Sequence, residues 1–187
     1  MGNPQNPWKI LDQKMVYENP WISLTEFRVL NPSGGKGIYG KVHFKNTAIG
    51  IIPLDSEFHV YLVGQYRFPL DQYSWEIPEG GGAAGEDPLS AAKRELLEET
   101  GLVAKEWVSL FNMHLSNSVS DELAIIYLAR ELELHKAMPE ETESLTVKRI
   151  PFEEAVDMLG SGLITDSMSV AAIQQVQLLL LQGKLKK

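Results

Sequence analysis

The chain contains no cysteine. That excludes disulfides, thiol nucleophiles, redox pairs and thiolate-held zinc or iron–sulfur centres together. Any metal must then be held through His, carboxylate, carbonyl or water. Histidine is also scarce: His43, His59, His114 and His135 are scattered, and none reads as a ligand. Long apolar runs are missing as well. The most apolar tract, 176–181, is interrupted by Gln177 and falls far short of the roughly 20 residues a membrane span requires. The N-terminal stretch has no apolar h-region, so no secretory signal is expected. Met1-Gly2 opens like an N-myristoylation site, but Gln5 and Asn6 stand where Ser or Thr is needed. The expectation is a soluble, cytoplasmic protein without a membrane partner. Basic residues are outnumbered, 17 Lys+Arg against 25 Asp+Glu, for a formal charge of −8. Nucleic acid is therefore disfavoured as a partner.

What is present suits one globular domain with an appendage: 187 residues, 44% of them hydrophobic. Residues 15–30, broken at Asn19-Pro20, and 37–44 read as strands around the turn signal Asn31-Pro32-Ser33-Gly34-Gly35. The apolar runs 48–54 and 59–66, split by Asp55-Ser56-Glu57, read as a hairpin. A Gly-rich loop follows at 76–86. A helix then opens with Asp87 as N-cap and Pro88 in its first turn, and stops at Gly101. Strands are expected at 103–114, 123–132 and 145–150, with a short helix at 152–159. A last helix, capped by Asp166 or Ser167, runs to Gln182. Strands with helices interspersed late in the chain indicate an α/β or α+β domain preceded by a β arm.

The helix after the Gly-rich loop is the informative segment. Leu89, Ala92 and Leu96 share a stripe that faces a core. Glu95, Glu98 and Glu99 fall on another face, within a sector of roughly 100°. Like charges at i, i+4 repel, and two of the three lie at the end of the helix that the dipole disfavours for anions. A divalent cation would relieve the strain, and hard oxygen donors on a rigid element suit Mg²⁺ or Mn²⁺. The alternative is a solvated acidic face screened by Lys93 and Arg94. Gly80, Gly81 and Gly82 just upstream permit positive φ and close backbone approach to a ligand.

The stretch GGGAAGEDPLSAAKRELLEETGL, residues 80–102, resembles the Nudix hydrolase signature G-x5-E-x7-R-E-U-x-E-E-x-G-U. Gly80, Glu86, Arg94, Glu95, Leu96, Glu98, Glu99, Gly101 and Leu102 meet every fixed position. The resemblance implies a Nudix α/β/α sandwich with a mixed sheet, preceded by a small antiparallel β arm. It also implies hydrolysis of a nucleoside diphosphate linked to a second moiety. By that resemblance Glu95 and Glu99 are the main metal ligands, Glu98 and Glu86 support them, and the Glu79 backbone carbonyl adds a donor. Arg94 would orient a signature glutamate.

The flanks, Gln65-Tyr66-Arg67 and Trp75-Glu76-Ile77-Pro78-Glu79-Gly80, resemble the ADP-ribose pyrophosphatase and nucleoside-diphosphate-sugar hydrolase branch. In that branch the Arg of Q-Y-R meets a substrate phosphate, a role carried to Arg67. Glu76 would help position substrate, and Trp75 reads as core. The general base of the branch lies on an acidic loop before the last strand, where Glu143, Glu141 and Glu140 stand, in that order of preference. Many ADP-ribose pyrophosphatases carry a Pro in a downstream loop. Ser118 occupies that place, between Asn117 and Val119, which leans toward a wider range of sugar nucleotides such as GDP-mannose.

The division expected is an arm at 1–46, serving dimerisation, and a Nudix domain at 47–187. In this branch the arm often exchanges across a homodimer, and Trp21 or Phe27 would then stack on a base in the partner's site. On the residues alone, both read as packing at the arm interface. The reaction implied is Mg²⁺-dependent hydrolysis, with Mn²⁺ able to substitute, of a nucleotide sugar to a nucleoside monophosphate and a sugar phosphate. The rival readings are an ADP-ribose-specific pyrophosphatase, a catalytically silent nucleotide sensor and a dimeric structural module.

Overall fold

The computed structural model describes residues 5–135 and 145–186. These fall into two compact units. The first takes the chain up to Asn46 together with Ser116–Glu122; the second takes Thr47–Leu115 and the chain from Leu123 onward. Among the described residues no helix is long and apolar enough to cross a membrane.

The first unit is an antiparallel sheet of β1 (Lys9–Glu18), β2 (Ile22–Leu30) and β3 (Lys36–Phe44), with β2 in the middle. Asn19 divides the first two strands. Its side-chain oxygen accepts the N–H groups of Trp21 at 2.9 Å and Ile22 at 2.8 Å, an Asx turn. Asn31 does the same for Ser33 and Gly35, with Gly34 at φ +82°. Residues 116–122 dock on β3. Val42 N–H donates to Val119 C=O, Asp121 N–H donates to Val42 C=O, and the Tyr39 hydroxyl donates to Ser118 C=O at 2.6 Å. Asp121 locks the contact by accepting from Lys41 at 2.6 Å and Phe44 N–H at 3.2 Å, with His43 Nδ1 2.9 Å away. Burial raises the Asp121 pKa, but Lys41, His43 and the Phe44 amide outweigh it and hold the carboxyl at about 2.

In the second unit β4 (Thr47–Pro53) lies between β7 (Glu79–Gly82), antiparallel, and β9 (Leu123–Leu134), parallel. β8 (Leu102–His114) completes the order β7-β4-β9-β8. A second sheet has the order β10-β5-β6, from Thr146–Pro151, His59–Arg67 and Gln72–Glu76. The hairpin expected of 48–54 and 59–66 is therefore not one. β4 and β5 meet only at the bridge Leu54↔Val60 and enter different sheets. Both edges of β4 are taken by β7 and β9, so β5 must start a new sheet. Asp55 makes the turn by accepting the N–H groups of Glu57 and His59, both at 2.9 Å.

β4 is covered on both faces, which explains its unbroken apolar run. Ile49 and Ile51 pack with Ala91, Ala92 and Leu96 of α1 (Pro88–Thr100). Ile52 and Leu54 point the other way, into a core shared with α2 (Phe152–Gly160) and α3 (Ser167–Leu181). This is the expected α/β/α sandwich with a mixed sheet, and the N-terminal antiparallel strands form a separate sheet. The helix ends are also as read. Asp87 caps α1 through Ser90 N–H, Gly101 stops it at φ +71°, and Asp166 caps α3 through Ser169 N–H at 2.7 Å. The Gly-rich loop needs correction. Residues 79–82 form strand β7, and positive φ in this stretch is confined to Gly85.

Candidate active site

Helix α1 presents its carboxylates through three different supports. Arg94 gathers most of them. Its Nη1 donates to Glu95 at 2.8 Å and Glu98 at 2.9 Å; its Nη2 donates to Glu86 at 3.3 Å and to the Gly81 carbonyl at 3.0 Å. Glu86 also accepts the Ala83 N–H at 3.0 Å. Arg94 first and the Ala83 amide second depress the Glu86 pKa, and the bonds that Arg94 donates to Glu86 chiefly raise its own. Glu99 is almost wholly buried and accepts the Glu79 backbone N–H at 3.0 Å. Glu95 lies against Gly80, where an added Cβ would overlap its carboxyl group. The close approach that glycine allows is thus to a signature glutamate. The buried face of α1 is Ala91, Ala92, Leu96 and Thr100, with Leu89 only half-buried.

A second group adjoins the first through Glu79. Arg67, at the end of β5, donates from Nε to both Glu76 oxygens at 3.0 Å. Its Nη2 lies 2.5 Å from Glu76 Oε2 and 2.5 Å from Glu79 Oε1. Glu76 is 3% exposed. Glu79 Oε2 is buried without a hydrogen-bond partner. Burial pushes the Glu79 carboxyl well above its usual range, and Asp166 and Glu76 add to this; the ion pair with Arg67 opposes the rise without cancelling it. For Arg67, burial works against the charge, while Glu76 and Glu79 more than restore it. The structure therefore joins Arg67, Glu76 and Glu79, ties Glu99 to them through the Glu79 N–H, and gathers Glu86, Glu95 and Glu98 on Arg94. Sequence reasoning missed Asp166, which adds negative charge felt by Arg67 and Glu79. Its signal was a helix cap, which has a structural meaning in any protein.

The remaining expectations lie elsewhere. Glu140, Glu141 and Glu143 are outside the described residues. Trp21 sits at the β1–β2 turn, 65% exposed. Phe27 lines a pocket of about 430 Å³ within the first unit, with Trp8, Tyr39 and Ser118. Trp75 is half-buried and packs on the core, with Lys148 Nζ 4.2 Å above its ring. Asp55, Glu57 and His59 offer atoms within 4.8 Å of one another. Arg149 already pairs with both acids of that group, at 2.7 Å from Asp55 and 2.5 Å from Glu57.

Comparison with known proteins agrees with this geometry. Residues 44–166 match the NUDIX domain, and residues 8–42 match the nucleoside diphosphate sugar hydrolase N-terminal domain. The chain belongs to the Nudix family and is a Nudix hydrolase. It is 33% identical over 172 residues to an ADP-ribose pyrophosphatase of Bacillus subtilis (strain 168), covering 91% of this chain and 92% of that one. It is 34% identical over 133 residues to a methanol dehydrogenase activator of Bacillus methanolicus, covering 70% and 72%. A crystal structure of an ADP compounds hydrolase superposes with a TM-score of 0.86 at 22% identity, over 98% of this chain and all of that one.

Proposed function

We propose that the protein hydrolyses the pyrophosphate bond of a nucleoside diphosphate sugar, ADP-ribose first among them, in a reaction that requires Mg²⁺ and accepts Mn²⁺. The observation that carries this is the excess of carboxylates between residues 76 and 99. Arg67 holds Glu76 and Glu79, Arg94 holds Glu86, Glu95 and Glu98, and Glu99 accepts the Glu79 backbone N–H, for a formal charge of 2 − 6 = −4. Such an excess favours a divalent cation, and the donors are all hard oxygens. The residues fit the ion further: Glu79 Oε2 is buried and unpaired, and Gly80 admits the Glu95 carboxyl where a Cβ would exclude it. Glu95 and Glu99 are assigned as the main ligands, with Glu86, Glu98 and the Glu79 carbonyl in support. When bound there, a divalent cation would supply charge neutralisation for the diphosphate and a lowered pKa for a water.

The chain's own residues supply the rest of the reading. Arg67 is positioned to trade a carboxylate for a substrate phosphate. Glu76 holds its guanidinium by accepting from both Nε and Nη2. Arg94 orients Glu95 and Glu86. One of Glu143, Glu141 and Glu140 takes the proton from the attacking water. The products are a nucleoside monophosphate and a sugar phosphate. ADP-ribose is favoured by the Bacillus subtilis relative, and Ser118 in place of Pro leaves room for other sugar nucleotides such as GDP-mannose. The arm, 1–46, serves a homodimer with exchanged arms, in which Trp21 or Phe27 reaches the partner's base; the domain 47–187 carries the chemistry. Supporting the dimer are the exposed apolar side chains Ile10, Leu11, Met15 and Val16 of the first sheet.

The test is kcat/KM for ADP-ribose, ADP-glucose, GDP-mannose, UDP-glucose and NADH, with Mg²⁺ and with Mn²⁺, for the wild type and for Glu99→Gln. Turnover of an ADP sugar that depends on the cation and falls at least a hundredfold in E99Q is expected. E99Q with near-wild-type turnover at saturating Mg²⁺ would sink the assignment.

A further inference from the structure

The segment Ile77-Pro78-Glu79 links Glu76 to Gly80, and its backbone is held from three directions. Ile77 N–H donates to the Ser169 hydroxyl at 2.9 Å. Pro78 C=O accepts from Ile51 N–H at 2.9 Å, and Glu79 N–H donates to Glu99 at 3.0 Å. Pro78 has no N–H, so the two donors of the segment are both taken by side chains, one on α3 and one on α1. Ile77 and Ser169 are both 0% exposed. The packing around them is tight: a Cβ on Gly50 would stand 3.1 Å from Ile77 Cδ1 and 3.7 Å from Met168 Cβ. Ser169 lies in the first turn of α3, fixed in turn by its own N–H on Asp166.

We infer that Ser169 is a positioning residue of the active site. By holding the Ile77 amide, it sets where Glu76 and Glu79 meet Arg67 and where Gly80 receives Glu95. It acts through the segment and touches neither cation nor substrate. With a methyl in place of the hydroxyl, the Ile77 N–H is buried without an acceptor, and the segment relaxes to regain one. This inference rests on the metal-dependent reading above.

The experiment compares wild type, Ser169→Ala, Ser169→Thr and Met158→Ala, the last a core truncation on α2. Three quantities are read: Mn²⁺ affinity by calorimetry, amide hydrogen exchange of Ile77 and Glu79, and Tm. In S169A, Mn²⁺ affinity falls about tenfold, the scale of one lost buried hydrogen-bond partner, and exchange at Ile77 and Glu79 accelerates. S169T restores both. M158A lowers Tm and changes neither. Wild-type affinity and exchange in S169A would overturn the inference, as would an equal loss in M158A, which would mean general destabilisation. Failure of the wild type to bind Mn²⁺ would instead overturn the metal-dependent reading, and with it the metal-site role of Ser169. The exchange data would then still decide whether the hydroxyl holds the segment.

Discussion

Gly80 and Glu95 occupy each other's space: the carboxyl group of Glu95 lies where a Cβ on residue 80 would be. Gly80 sits in strand β7 without positive φ, so its replacement is resisted by this contact and not by backbone strain. Gly80→Ala must push Glu95 off Arg94 and away from its place in the proposed cation site. Turnover should fall at least a hundredfold, with weakened Mn²⁺ binding. Gly82→Ala is the control, because its Cβ would meet Ala91 Cβ at 3.3 Å, Ile49 Cγ1 at 3.4 Å and the Thr47 carbonyl at 3.6 Å rather than a carboxylate. It should cost about 1–3 kcal/mol by overpacking and leave Mn²⁺ affinity intact. Calorimetric titration of both variants checks the contrast, and equal Mn²⁺ affinities would refute it.

The general base gives a second prediction. Conversion of Glu143, Glu141 and Glu140 to Gln, one at a time, should single out one position. Loss of a general base lowers kcat by about 10²–10⁴-fold, while the other two acids should change it only a few-fold. The affected variant should keep its Mn²⁺ affinity and lose the rise of kcat with pH expected of the wild type. Three variants with wild-type kcat would place the base elsewhere.

How much of this was legible in the sequence depended on how local each determinant was. α1 was readable to the residue because Asp87, Pro88 and Gly101 act on their immediate neighbours. The signature carboxylates were legible through their fixed spacing. The β4–β5 hairpin was misread because strand pairing is decided by distant partners: β9, more than seventy residues downstream, takes the edge of β4 that β5 would need. The glycine run suggested ligand-binding φ values, whereas the structure uses Gly80 to admit a side chain. Ser169 and Ile77, 92 residues apart, carry no pattern that pairs them.

Asp121 yields a pH prediction in the first unit. Its folded pKa, about 2, lies below its ordinary value of 3.8, so its ion pairs stabilise fully above about pH 4 and are lost as pH falls toward 2. About a third of the side chain is exposed, so screening reduces the contribution to about 1 kcal/mol. Asp121→Asn keeps an oxygen for the Phe44 amide but loses the charge facing Lys41 and His43. The variant should be less stable than wild type at neutral pH, and the two should converge between pH 4 and 2. Denaturant titrations across that range decide it; a constant difference would show that the charge is not what stabilises the contact.

Arg67 is the strongest case for stability and function meeting in one residue. Its guanidinium is the cation that an almost fully buried Glu76 and a nine-tenths-buried Glu79 share. Arg67→Met removes that cation and leaves the carboxylates to face each other, which in a buried setting costs about 3–5 kcal/mol. Arg67→Lys retains the charge but cannot bridge both oxygens of Glu76 while reaching Glu79, so it should fall between. Because the penalty comes from the stranded anions, Arg67→Met with Glu79→Gln should lose less than the sum of the two single variants, a coupling that a double-mutant cycle reads directly. Both Arg67 variants should raise KM for ADP-ribose. Additive stability losses would mean that Arg67 and Glu79 do not depend on each other, and would remove the link between the proposed phosphate-binding and cation-binding residues.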